Sequence, residues 1–203
     1  MNKIITISRE FGSGGRELGK LLANELGYNY YDKEIISAVA SEKNLNEDYV
    51  KKVLERGLTP VVTHHGISFG FKQNIENVEL LVAEHNIIKA LAKKDNCVIV
   101  GRGGNIVLKE HNPLSIFVYS DMVHKINRCI EYDKEKYLTN KEAEKKIKQI
   151  NNARAKYYSM FSGEKWGNKE DYDLCINTSN IIIKNIVPVV VKYSEVYFGG
   201  RNV

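Results

Sequence analysis

Short apolar runs alternate with longer segments of helical period along most of the chain. The runs do not alternate strictly between polar and apolar residues, which is typical of strands buried on both faces. They lie at residues 3–8, 28–32, 97–100, 114–119 and 172–177. Strands that alternate with helices form a parallel sheet with right-handed crossovers. The pattern therefore predicts an α/β fold.

The clearest helix is predicted over residues 14–26, where leucines recur at three- and four-residue steps and Gly27 is the expected C-cap. Asp32 is expected to cap the next helix. Further helices are predicted near residues 49–56, 78–94, from 121 onwards, and at 181–196, where Pro188 weakens the pattern.

Two segments do not fit the alternation of strands and helices. Residues 57–77 show no clear period and are predicted to form a mobile insertion. Residues 131–158 are rich in Lys and Glu and are predicted to form a solvent-exposed helical hairpin.

A glycine-rich turn, Gly12–Gly15, joins the first strand to the first helix. Such a turn exposes successive backbone N–H groups, which together with the positive end of the helix favour a phosphate. A tight strand-to-helix turn without a ligand is the alternative. The flanking strand and helix favour phosphate binding, with Gly12, Ser13, Gly14, Gly15, Arg16 and Glu17 as the predicted contacts.

The charged residues around this turn are the candidates for handling a phosphate. Arg9 and Arg16 flank it, and arginine binds phosphate in a bidentate way; surface residues are the alternative for both. Glu17 is a candidate ligand of Mg²⁺ through water. It is equally explained as a first-turn acid that favours the helix dipole.

Two further polar segments follow strands directly, at Asp32 and at Gly101-Arg102. Ligands of parallel sheets bind beyond the carboxyl ends of the strands. Both segments are therefore expected to lie near the glycine-rich turn, at the carboxyl edge of the sheet. Arg102 either contacts a ligand or pairs with an acid. Arg128 and Arg154, judged alone, are typical solvated helix residues, and the neighbours His64 and His65 are typical polar loop residues.

Composition narrows the functional classes only slightly. The net charge of +5 suits an anionic ligand, but a solvated basic surface explains it equally well, and no motif favours nucleic acid. No two of the three cysteines form a CxxC motif, which argues against a zinc knuckle or a disulfide scaffold. With no signal pattern and no apolar run that could span a bilayer, a cytoplasmic protein is expected.

The chain resembles the cytidylate kinase-like proteins, a bacterial branch related to P-loop nucleoside monophosphate kinases. The resemblance covers residues 4–178 and is carried by the segments ISREFGSGGRE (7–17), YYDKE (30–34), VIVGRG (98–103), YY with GEKW (157–158 and 163–166), and YDLCINT (172–178). It implies a single three-layer α/β/α domain of P-loop kinase type over residues 1–203. It also implies a monophosphate-side helical insertion at about residues 40–80 and a basic helical lid at about 131–170.

The resemblance implies functional roles for residues at matching positions. Arg102 matches an arginine that holds the acceptor's phosphate, and Asp32 is placed with it on the acceptor side. Arg154 matches a lid arginine that approaches the transferring phosphates, and Arg128 matches an arginine of the helix that leads to the lid. Arg16, Arg128 and Arg154 are accordingly predicted to act in catalysis, with ATP and Mg²⁺ as the implied nucleotide and cofactor.

The chain departs from cytidylate kinase at positions that bear on activity. Gly15 aligns with the lysine of the phosphate-binding loop, and Glu17 aligns with its threonine. Gly103 replaces an aspartate after Arg102, and Asn151 replaces an aspartate three residues before Arg154. Phosphoryl transfer needs positioning and charge neutralisation, so Arg16 or Arg9 can take over the lysine's function.

Two functions remain open at this point. The retained arginines favour an ATP-dependent phosphotransferase that acts on a nucleoside monophosphate or a similar small acceptor. The altered loop favours a nucleotide-binding sensor or partner protein that has lost catalysis. A nucleic-acid-binding protein rests only on the lysines of residues 134–156, and the acids among them weaken it. The sequence leaves the acceptor and the oligomeric state, including a homo-oligomer, open.

Overall fold

The computed structural model describes residues 2–56, 67–132 and 138–200. Its sheet has five parallel strands in the order β2-β3-β1-β4-β5. The strands are β1 (Ile4–Arg9), β2 (Asn29–Tyr31), β3 (Cys97–Val100), β4 (Leu114–Tyr119) and β5 (Leu174–Asn177). The predicted parallel sheet is therefore confirmed, and β1, which precedes the glycine loop, lies at its centre.

Eight helices connect or flank the strands in the described part. They are α1 (Gly15–Leu26), α2 (Glu34–Lys43), α3 (Glu47–Arg56), α4 (Ile67–Lys94), α5 (Gly104–Val107), α6 (Met122–Tyr132), α7 (Asn140–Ser162) and α8 (Ile183–Gly199). Short 3-10 turns occur at Lys109–His111 and Lys169–Asp171.

Side chains from both faces of the sheet are buried, which explains the apolar runs. Ile5 and Ile7 face a core shared with α1 and α8, whereas Ile4 and Ile99 face a second core with α2 and α4. The two cores lie on opposite sides of the sheet because neighbouring residues of a strand point to opposite faces. This confirms the three-layer α/β/α fold.

Several local predictions change in detail. Gly27 ends α1 with a positive φ of 66°, as expected for a glycine C-cap. Lys33, and not Asp32, occupies the N-cap position of α2. The capping prediction for Asp32 is wrong because its carboxylate pairs with arginines instead.

Residues 57–77 were expected to lack a helical period, and this is wrong for residues 67–77, because they form the first part of α4, a helix of 28 residues. Residues 57–66, which include His64 and His65, lie outside the described residues.

The predicted exposed hairpin at 131–158 is also wrong. The described part of this segment is mainly one helix, α7, which begins at a capping box formed by Thr139 and Glu142. It is not solvent-exposed throughout, because Ala143, Ile147 and Tyr157 recur at helical spacing and are buried.

No helix of the described residues is long and apolar enough to cross a membrane.

Candidate functional site

The glycine loop turns sharply at the end of β1. Gly12 and Gly14 have φ values of 79° and 80°, a left-handed conformation that glycine adopts without a steric penalty. A side chain at Gly12 would also collide with the backbone of Lys125, since a Cβ would lie 2.7 Å from its carbonyl oxygen. The two glycines therefore allow the loop to turn and α6 to pack against it.

The second predicted segment adopts an equally unusual backbone. Gly101, Arg102 and Gly103 follow β3 with φ values of 82°, 59° and 59°. A left-handed conformation is uncommon for arginine, and such residues concentrate at functional sites. This turn directs the side chain of Arg102 towards the cleft described next, which Arg102 lines.

A cleft of about 750 Å³ lies at the carboxyl edge of the sheet, bordered by the ends of β1 and β3 and by α3 and α7. None of the described residues that line it is acidic. Seven of them are cationic, namely Arg9, Arg16, Lys33, Lys51, Arg102, Lys146 and Arg154. Positive charge focused in a concave site attracts anions.

Two buried carboxylates lie behind this surface. Asp32 is 2.5 Å from Arg16 Nε and 3.4 Å from Arg9 Nη2. Glu84 of α4 lies 3.5 Å from Arg102 and accepts a hydrogen bond of 2.5 Å from Tyr157 of α7. Burial raises the pKa of Glu84, whereas Arg102 and Tyr157 lower it. The acids thus position the cations and leave the cleft itself positive.

Two residues of α7 contact the backbone between the end of β1 and the glycine loop. Asn151 Oδ1 accepts a hydrogen bond from the Phe11 N–H at 2.7 Å, and Arg154 Nη1 donates to the Arg9 carbonyl at 3.0 Å. Arg154 also lies over the Phe11 ring at 5.8 Å from its centre. Burial, and then the neighbouring arginines 9, 16 and 102, lower the pKa of Arg154 well below its usual value.

The structure thus brings Arg16, Asp32, Arg102 and Arg154 together around the glycine loop. Arg128 lies on the other side of the glycine loop, with its Nε 4.0 Å from the position of a Cβ on Gly14. Its guanidinium donates to the carbonyls of Thr178 and Ile181 at 2.6 and 3.3 Å. These bonds tie α6 to the segment after β5. Arg128 is not among the residues that line the cleft.

Glu17 is also placed away from the cleft lining. Its carboxylate accepts a hydrogen bond of 2.7 Å from the Tyr132 hydroxyl of α6. The described residues contain no cluster of three or more potential metal ligands. Because Mg²⁺ in nucleotide sites is held largely by phosphates and water with one or two carboxylates, a single acid such as Glu17 fits that mode of binding.

The sequence reasoning missed Glu84 and Tyr157. A signal for Glu84 was present, since it lies three residues after Leu81 and four before Ile88, on the apolar face of the predicted helix. A fully buried acid on such a face requires a partner. Glu84 has two, namely Arg102 in the turn before α5 and Tyr157 of α7.

Three comparisons with known proteins agree with this fold. Residues 4–180 match the model of the cytidylate kinase-like family. A cytidylate kinase of Saccharolobus islandicus (strain L.S.2.15 / Lassen #1) is 24% identical over 194 residues, which are 94% of this chain and 89% of that protein.

Solved structures show the same architecture. An uncharacterized protein from Eubacterium ventriosum ATCC 27560 is 25% identical, with a TM-score of 0.69 and coverage of 96% of this chain and 99% of that one. Shikimate kinase from Acinetobacter baumannii, solved in complex with shikimate, has a TM-score of 0.55, with coverage of 100% of this chain and 97% of that one. At 13% identity, this second likeness concerns the fold alone.

Proposed function

The chain belongs to the cytidylate kinase-like family, and we propose that it is an ATP-dependent phosphotransferase that phosphorylates a nucleoside monophosphate or a similar small acceptor. The observation that carries this proposal is the cleft beside the glycine loop, which seven cations and no acid of the described chain line. Two phosphorylated substrates that meet in one site need such a surplus of positive charge.

The donor phosphates are assigned to the glycine loop. Backbone N–H groups of residues 12–15 and the N-terminal end of α1 favour the phosphates of ATP, and Arg16 flanks them. In the transfer, the bond between the γ-phosphorus and its bridging oxygen breaks while a bond to an acceptor oxygen forms, and ADP leaves. Arg154, which contacts the Arg9 carbonyl at the end of β1, would stabilise the charge on the transferring group.

The acceptor is assigned to the opposite side of the cleft. Arg102 is the predicted ligand of the acceptor's anionic group, and its pairing with Glu84 keeps it oriented. Asp32 contributes by holding Arg9 and Arg16 in place. The predicted insertion around residues 40–80 supplies Lys51 to the cleft lining, and α7 lies within the predicted lid.

Magnesium would enter with ATP and neutralise charge on its phosphates. Glu17 is the residue of this chain that we expect to hold it through water, and the hydroxyl of Tyr132 would orient the carboxylate.

The test is a panel that measures ADP release from ATP with Mg²⁺ in the presence of CMP, dCMP, UMP, AMP, GMP and non-nucleotide phosphate acceptors. We expect one acceptor class to stimulate ADP release. An Arg102→Ala variant should then raise KM for that acceptor more than KM for ATP. The matched control is Lys109→Ala, which removes an exposed cation of the 3-10 turn that follows α5.

A different outcome of the same panel would select the other function. If ATP binds but no acceptor stimulates ADP release, the protein is a nucleotide-binding sensor or partner and the kinase proposal is wrong.

A further inference from the structure

Position 15, where a Walker A loop carries its lysine, has no side chain in this protein, and the space beside it is filled. A Cβ atom built on Gly15 would lie 2.5 Å from Cβ of Arg9, 3.1 Å from its Cγ and 3.2 Å from Cβ of Val118. Real Cβ atoms do not approach another carbon atom to 2.5 Å. A side chain at position 15 and any side chain at position 9 therefore exclude each other in the present arrangement.

The far end of the same arginine occupies a second glycine position. The Arg9 guanidinium lies against Gly101, so that a Cβ there would collide with Nη1 and Cζ. Arg9 thus lies in a groove between two glycines, with its aliphatic stem over Gly15 and its guanidinium over Gly101. The two glycines come from different strand-to-helix turns, and both leave room for this one side chain.

The charge of Arg9 is only partly neutralised by the protein. Its side chain is 11% exposed, and Asp32, its carboxylate partner at 3.4 Å, also pairs with Arg16 at 2.5 Å. Burial lowers the pKa of Arg9 to about 10; Asp32 opposes this shift, while Arg102 and Arg16 add to it. A bound anion would relieve this deficit of negative charge.

Arg16, the other candidate, is placed differently. Its side chain is 53% exposed and points to Asp32 from the first turn of α1. An exposed cation is screened by water, so its contribution to phosphate binding is smaller than that of a desolvated one.

In the pattern G-x-x-x-x-G-K-[ST], a lysine at position 15 puts the first glycine at position 9. We propose that Arg9 supplies the phosphate-binding charge that the loop lysine supplies elsewhere, because positions 9 and 15 have exchanged cation and glycine. The side chain starts at the last residue of β1, its stem passes the glycine loop at Gly15, and its guanidinium lies at the cleft beside Gly101. As a guanidinium it holds two phosphate oxygens at once. This inference rests on the proposed function for its physiological ligand, but the phosphate chemistry can be tested without turnover.

The test is a set of binding titrations by calorimetry with ATP and with inorganic tripolyphosphate. Arg9→Ala is expected to weaken both by roughly 10- to 100-fold, the range of one charge-assisted hydrogen-bonded pair. Arg9→Lys should fall between Arg9→Ala and the wild type. Lys20→Ala, which removes an exposed cation of α1 one turn beyond Arg16, should bind as the wild type does.

The exchange itself is tested by moving the cation back. Gly15→Lys alone should weaken tripolyphosphate binding because the new side chain collides with Arg9. The double variant, Arg9→Gly with Gly15→Lys, should bind more tightly than either Arg9→Ala or Gly15→Lys. Circular dichroism and the melting temperature establish that each variant is folded, and Arg9→Lys gives the answer should the glycine variants not fold.

Two results would overturn the inference: tripolyphosphate binding by Arg9→Ala and Arg9→Lys equal to that of the wild type, or a folded double variant that binds no better than Gly15→Lys. The proposed function fails separately. If tripolyphosphate binding depends on Arg9 but no acceptor stimulates ADP release, the inference stands and the kinase proposal falls.

Discussion

Two sides of the glycine loop differ in how their charged side chains are arranged. On the side of β4, α6 and β5, the charged groups are hydrogen-bonded or ion-paired within the protein. Glu10 accepts from Lys125 Nζ at 2.7 Å and from the Ser120 N–H at 3.2 Å. The Thr178 hydroxyl donates to the Ser13 carbonyl at 2.7 Å, and Arg128 binds the Thr178 carbonyl. We call this the anchoring side.

On the side of β2, β3 and α7, which we call the cleft side, cations lie together along one cleft. Four arginines, at positions 9, 16, 102 and 154, influence one another electrostatically. Two described carboxylates, Asp32 and Glu84, contact arginines of this group. The difference indicates that one side builds the loop and the other side is arranged for an anion.

The largest expected effect comes from removing charge on the cleft side. Arg154→Ala should lower kcat/KM on the order of 10²- to 10³-fold, the usual loss for one group that stabilises transition-state charge. Its stability should change little, because burial and neighbouring cations oppose the charge of Arg154 in the folded state. Steady-state kinetics and thermal melting measure the two effects.

The matched control is Lys156→Ala, which removes an exposed cation two residues further along α7. If Arg154→Ala lost stability and kept its activity, Arg154 would have the function that we assign to the anchoring side. That result would contradict the distinction between the two sides.

The anchoring side should respond in the opposite way. Thr178→Val removes a fully buried hydroxyl and leaves the Ser13 carbonyl without this donor. We expect the free energy of unfolding to fall by about 1–3 kcal/mol, while kcat/KM stays close to wild type well below the melting temperature. Chemical denaturation and kinetics measure these quantities.

Thr6→Val serves as the control for Thr178→Val, because Thr6 is another buried threonine whose hydroxyl makes a longer bond of 3.3 Å to Ser115. A folded Thr178→Val protein of normal stability with weakened ATP binding would show that the anchoring side binds ligand.

The smallest effect is expected at Glu84, behind the cleft. Burial raises its pKa above the ordinary value of 4.5. When the pKa of a carboxyl is higher in the folded protein than in the unfolded one, its protonation stabilises the fold. This stabilisation is fully present at a pH below the unfolded-state pKa and is lost as the pH rises through the folded-state pKa. The free energy of unfolding of the wild type relative to Glu84→Gln should therefore fall as the pH rises above the ordinary glutamate pKa of 4.5.

Denaturation at a series of pH values measures this difference. Glu79→Gln, on the exposed face of the same helix, is the matched control. A difference for Glu84→Gln that increases with pH would mean that Arg102 governs the carboxylate more strongly than burial does.

The fold was predictable because its determinants are local. Apolar runs such as residues 97–100 and 114–119 became β3 and β4 at the predicted positions, and the leucine spacing predicted α1. The errors arose where a segment's own pattern does not indicate its structure. Residues 67–77 show no period of their own, yet their backbone continues into the long helix α4.

The candidate site was predictable only in part, for a related reason. Loop composition and strand ends indicated that Asp32, Arg102 and the glycine loop would meet. Sequence could not distinguish Arg128 from Arg154, since both lie on basic helices, yet one binds carbonyls near β5 and the other lines the cleft. The packing of Arg9 between Gly15 and Gly101 depends on contacts across two turns, which no spacing rule predicts.

The most direct test of the account is a crystal structure of the protein with ATP and Mg²⁺. The account predicts that phosphate oxygens lie within hydrogen-bonding distance of the guanidinium groups of Arg9 and Arg154, on the cleft side of the loop. It also predicts that Lys125 and Arg128 keep their contacts with Glu10 and Thr178. The account would be contradicted by a triphosphate bound to Lys125 and Arg128, while Arg9 contacts only Asp32 and Arg154 contacts only the Arg9 carbonyl.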